Sequence, residues 1–247
     1  IRDYYASRGL GDVYKRQFEH DLTKGNIWKQ LVKFAVPFFI SNLIQSLYSL
    51  VDLIILGHFG GTNSISAANI GGQVLVILTN LAAGLAGGGM VMLGNYLGSR
   101  QKDKINGTIS TLLITLMVMA AIFMVLLFIF EQPLLRLLDT PDEAYGQARQ
   151  YMLICSLGLL FIYGYNALSA IMRGLGDSRT PMIFVIIACA INIILDLVLV
   201  AGFHMGAGGA AFATIFAQGC SMLFCILYLK RHDFMYDFRP SSLQEEF

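Results

Sequence analysis

The chain has 247 residues, 56% of them hydrophobic and only 13% charged, with a mean hydropathy of +0.64 and a formal net charge of +1. Soluble domains carry roughly 25% charged residues, so this composition excludes an ordinary soluble domain and places the chain among membrane proteins. The net charge by itself says nothing about an acidic partner, and no nucleic-acid partner is expected of a membrane protein of this kind.

Residues 1–17, IRDYYASRGLGDVYKRQ, have no apolar period and lack the apolar centre of a signal peptide. They are expected to be a non-native remnant, followed by a cytoplasmic segment over 18–33. Six apolar segments come next, near 34–56, 68–97, 107–130, 150–172, 181–203 and 207–229. Each is long enough to cross a hydrocarbon core of about 30 Å. Backbone groups in lipid must be paired within the segment, so all six are expected to be helices. The fold class is therefore all-α: a polytopic membrane protein with a six-helix transmembrane unit over 34–230. Residues 231–247 read as the start of a cytoplasmic linker.

The connecting stretches set the orientation. With the N-terminus placed inside, eleven basic residues from Lys24 to Arg239 fall on the inner side, and only Arg136 and Arg149 fall outside. Such an excess is the positive-inside signature, and it places both termini in the cytoplasm. Cys155, Cys189, Cys220 and Cys225 all lie in apolar runs without C-x-x-C spacing, and read as small buried hydrophobes. The four histidines show no metal-ligand spacing. No His/Glu metal pair, Ser/Lys dyad or Gly-x-Ser-Gly context appears, so no enzymatic activity is expected.

Polar residues inside the spans carry the functional information. Only Asp52 and Asp196, of sixteen acidic residues, fall within a predicted span. A charged Asp at mid-membrane costs about 2.5–3.5 kcal/mol on insertion scales, so such a residue is a functional candidate by default. Asn192 and Asp196 are four apart and share a helix face. Gln45, Tyr48 and Asp52 make a second stripe, Asn166, Ser169 and Arg173 a third, Thr214 and Gln218 a fourth. One such stripe is explained equally well by interhelical hydrogen bonding; four of them, two with acids, point to a polar chamber. The glycines of GLAGGGMVMLG and GAGGAAFATIFAQG supply small residues for close helix packing. Pro37 removes a hydrogen bond from the first span, as a passive kink or as a hinge.

Three stretches, FAVPFFISNLIQSLYSLVDLIILGHFG, RGLGDSRTPM and NIILDLVLVAGFHMGAGGAAFAT, resemble the multidrug and toxic compound extrusion (MATE) family. Members have twelve spans in two six-helix lobes, so the resemblance implies that this chain is the N-terminal lobe, with the second lobe missing. It further implies a cation-binding and coupling site at Asp52, Asn192, Asp196 and Thr214. Tyr48, Asn166 and Gln45 would be its supporting polar network, and Pro37 the bend of span one. The implied function is a cation-coupled antiporter that exports amphipathic, cationic organic compounds by alternating access. Its setting is the cytoplasmic membrane of a prokaryote, with lipids as neighbours. No cofactor is expected beyond the coupling ion, H+ or Na+, and no metal beyond a possible Na+ at those four residues. Phe38, Phe39, Tyr163, Tyr165 and Met172 are candidates to line the drug cavity, though core packing explains them as well. The alternative within the same superfamily is a lipid-linked saccharide flippase, for which basic residues in the cavity are expected; only Arg173, at a span end, comes close.

Overall fold

A computed structural model describes residues 26–231, which excludes the expected remnant over 1–17 and nearly all of the expected linker over 231–247. Six α-helices follow one another: α1 (Ile27–Ile55), α2 (Gly61–Gly98), α3 (Lys102–Leu137), α4 (Asp142–Gly174), α5 (Arg179–Asp196) and α6 (Gly206–Arg231). No strand occurs among the described residues. Short π-helical turns, Leu56–Gly60 and Leu197–Gly202, follow α1 and α5. Nearly unbroken helical backbone from Trp28 to Gly98 joins the first two apolar segments, with π-helical Leu56–Gly60 and the start of α2 between them. That run of 71 residues is far longer than one crossing needs. It turns back at Gly61, whose φ of 78° suits a residue without Cβ.

The helices extend beyond the apolar stretches because their ends are capped in polar sequence. Asn26 opens α1 by accepting hydrogen bonds from the backbone N–H groups of Trp28 (3.0 Å) and Lys29 (3.4 Å). Asp177 accepts from the N–H groups of Arg179 (3.1 Å) and Thr180 (3.0 Å) at the start of α5. Tight reversals separate the other helices, with Arg100, Asp139 and His204 at positive φ.

Side-chain neighbours give the helix directions. Gly71 meets Ala148 and Tyr151, while Gly94 faces Gly174, so α2 and α4 run parallel. Gly158 meets Ile215 and Gly164 meets Met222, which makes α4 and α6 parallel too. Asn192 pairs with Thr214 and Thr180 with Tyr228, so α5 opposes α6. Phe38 lies against Arg173, while Val51 shares a buried cluster with Tyr151, so α1 opposes α4. The chain thus crosses six times in alternating directions.

Helix α4 is the central element, with apolar contacts to α2 and α3 on one side and α6 on another. Its position follows from small residues that let backbones approach. A Cβ at Gly174 would come within 2.8 Å of the Met90 carbonyl oxygen. At the other end of α4, Glu131 of α3 accepts from Arg149 at 2.7 Å. The expected glycine packing in α2 holds for Gly89, which faces Leu112, but Gly84, Gly87 and Gly88 face open space. On α6, Gly206, Ala210, Ala213 and Ala217 are all buried along one side. Large apolar side chains such as Leu43, Ile77, Ile129 and Leu157 remain exposed on the outside, as a helix bundle bathed in lipid requires.

Candidate functional site

Asp52 sits in the last turn of α1, and Asp196 is the final residue of α5. Each precedes a π-helical turn, a feature frequent at functional sites. Asp196 is 0% and Asn192 1% exposed. Asp52 and Asp196 are neighbours whose carboxylates act on each other, and both are acceptors when ionised. Asn192 Nδ2 donates to Thr214 Oγ1 at 3.5 Å, the long limit of a hydrogen bond. Asp52 Oδ1, both carboxylate oxygens of Asp196 and Asn192 Oδ1 are buried without a hydrogen-bond partner among the described residues.

Four buried oxygens with no donor are costly, since an unpaired acceptor forfeits several hydrogen bonds' worth of hydration and an unpaired carboxylate more. Two chemistries remove that cost. A proton shared by the carboxylates converts one acceptor into a donor. A small hard cation takes oxygen ligands of this kind, from carboxylate, amide and hydroxyl.

A small cavity of about 20 Å³, room for about one water molecule, opens one helical turn away, between α1, α4, α5 and α6. Gln45 and Tyr48 line it from α1, Tyr165 from α4, Cys189 and Asn192 from α5, and Thr214, Gln218 and Ser221 from α6. Asn192 and Thr214 belong to both the cavity wall and the acidic cluster, and so connect the two. The lining contains no Lys or Arg.

Six of the eight residues singled out in the sequence are therefore brought together: Asp52, Asn192, Asp196, Thr214, Gln45 and Tyr48. Asn166 is not drawn in by its amide, because its Nδ2 donates to the Ile162 carbonyl of its own helix at 2.8 Å. Pro37 lies four turns before Asp52 in a helix that continues through it, with Ser41 Oγ donating to its carbonyl at 2.8 Å. Among the aromatic and Met candidates for the cavity wall, only Tyr165 lines it. Tyr163 instead packs on α2 and donates to the Leu78 carbonyl at 2.7 Å, Met172 is core, and Phe39 faces outward. Sequence shows Gln218 only as the neighbour of Thr214; the fold places it on the cavity wall together with Tyr48. No local pattern marks Cys189 or Ser221 as cavity residues, since their exposure depends on how α5 and α6 are rotated.

Comparison with known proteins agrees with this arrangement. The MatE family model matches residues 37–198. The probable multidrug resistance protein YpnP of Bacillus subtilis is 32% identical over 216 residues, covering 86% of this chain and 48% of that protein. The multidrug export protein MepA of Staphylococcus saprophyticus is 24% identical over 208 residues, covering 84% and 46%. A MATE structure in the straight conformation is 26% identical with a TM-score of 0.83, covering 91% of this chain and 50% of that one. The bent conformation is likewise 26% identical, with a TM-score of 0.80 and coverage of 87% and 49%. The chain spans about half the length of the curated relatives it matches. With a family model matching well over half of its residues, this chain belongs to the MatE, or multidrug and toxic compound extrusion, family of membrane transporters and is not an enzyme.

Proposed function

We propose that this bundle is the cation-binding lobe of a drug exporter, and that Asp52 and Asp196 load a proton or a sodium ion in exchange for an organic cation. The observation that carries this reading is the pair of neighbouring carboxylates with buried oxygens lacking any donor. Asn192 and Thr214 complete the ligand set, and Tyr48, Gln45 and Gln218 supply hydrogen bonds in the adjoining cavity. The names of the relatives, multidrug resistance and multidrug export proteins, support an amphipathic organic substrate. A cavity wall without basic side chains favours a cationic substrate over the anionic carrier lipid of a saccharide flippase. Asn166 remains in the proposal as a residue bordering the network, and Pro37 as the weak point of α1.

Cys189 provides a direct test, because it lines the cavity one turn before Asn192. In a Cys220→Ser background, with Cys155 and Cys225 buried, maleimide should report on Cys189. Its labelling rate is expected to change severalfold with sodium at fixed pH, or with pH at fixed sodium, and the response should vanish in Asp196→Asn. The arm that responds identifies the coupling ion. Indifference to both would remove the cation site.

Both ends of the described region are proposed to face the cytoplasm of a prokaryotic cell, on the excess of inner basic residues. From outside intact cells, a cysteine at Thr62 should be labelled and one at Lys102 protected. The opposite pattern would invert the topology.

A further inference from the structure

Arg173 lies at the inner end of α4 with no carboxylate partner among the described residues. Its Nε donates to the Ser169 carbonyl at 3.2 Å, and Nη2 donates to Ser169 Oγ. These bonds hold the guanidinium on α4 and aim it at α1, where it stands over the Phe38 ring at 4.9 Å from the centroid. That distance and a face-on cation make a cation–π contact.

The place of contact on α1 matters. Phe38 follows Pro37, which has no N–H to give to the carbonyl of Lys33, so the helix ladder lacks a rung there. In the turns before that gap Trp28, Leu31 and Val32 are 76%, 54% and 55% exposed. Just beyond the gap, Ser41 and Asn42 donate to the carbonyls of Pro37 and Phe38 at 2.8 and 3.0 Å, the back-bonding that lets a helix bend. The clamp therefore grips the turn at a weak joint.

We propose that Arg173 is a positioning residue for α1, holding the Pro37 turn on α4 and thereby setting how freely residues 27–37 swing. The role rests on the exchange reading above only for its purpose, since a carrier must move one helix segment against another; the clamp itself is a matter of two side chains. Its consequence differs from that of a cavity residue, because Arg173 touches neither the carboxylates nor the cavity wall.

Hydrogen–deuterium exchange on the 247-residue chain in lipid nanodiscs tests this without any substrate. Phe38→Leu and Arg173→Gln should each accelerate amide exchange over 27–41 by about five- to thirtyfold, the range a desolvated cation–π contact implies. The double variant should be no faster than either single, as required of partners in one contact. Phe38→Trp, a better cation acceptor, should be slower than Phe38→Leu by at least as much as the natural chain is, and Arg173→Lys should restore part of the protection. Unchanged exchange over 27–41, additive singles, or a rise spread equally over α2 and α6 would overturn the proposal. A failure of the cation site shows separately, in the Cys189 labelling arm.

Discussion

Asp52→Asn and Asp196→Asn are each expected to bring gradient-driven drug efflux to background in a full-length transporter carrying this lobe, with membrane expression near normal. Asn has nearly the shape of Asp, so the packing of α1 on α5 survives. Its amide also places an N–H donor among oxygens that have none, so thermal stability should be unchanged or raised. On the proposed function, what the substitution removes is the ability to exchange one positive charge for another. Because the two carboxylates are neighbours that act on each other, the double variant should be no worse than either single. Vesicle efflux of a fluorescent cation, with expression and melting temperature measured in parallel, checks this. Normal efflux by the double variant would sink the coupling role of both residues, and a loss of folding would show that the cluster is structural.

The 247-residue chain by itself is expected to respond to the cation and yet to move no drug. The four residues of the candidate site and the cavity beside it all come from α1, α4, α5 and α6, so the proposed ion would meet its ligands within this bundle. Alternating access in paired-repeat carriers comes from one bundle rocking against another around a fixed site. The curated relatives are about twice this length, room for a second bundle of equal size. Reconstituted alone under an imposed proton or sodium gradient, the chain should accumulate labelled drug no faster than empty liposomes. Its Cys189 reactivity should still follow the ion. Uptake above that background would mean that two copies pair into a working carrier.

The acids and their stripes are legible in the sequence because a charge in an apolar run needs a reason, and helical spacing says which neighbours share its face. That logic locates Asp52, Asn192, Asp196 and Thr214 without saying that they meet. The meeting depends on α1 lying alongside α5, a long-range choice that no local pattern encodes. Helix ends are less legible: hydropathy sees the part in lipid, whereas Asn26 and Asp177 extend the helices into water by capping them. The connection between the first two spans is less legible for a similar reason: hydropathy marks only where the apolar segments stop, whereas π-helical backbone carries the chain almost to its reversal point. Asn166 shows the limit of face arguments. A correct helical face still leaves a side chain free to bond to its own backbone, as this one does with Ile162.

The two π-helical turns have a consequence for the symmetry of the acid pair. Asp52 begins DLIIL and Asp196 begins DLVLV. Each stretch runs into a π turn, and Gly61 and Gly206, with φ of 78° and 56°, open the helices that follow. Leu56 and Val200, both four residues past their acids, share one buried cluster. α1 and α5 run in the same direction, and these matching positions come together in one cluster. The duplication is not exact: the π turn begins four residues after Asp52 but directly after Asp196, and only Asp196 is fully buried. A further difference comes from the positions four residues earlier, where one helix offers the hydroxyl of Tyr48 and the other the amide of Asn192, with Thr214 beside the latter alone. An ion bound as proposed would be held nearer to Asp196 than to Asp52 by that added pair.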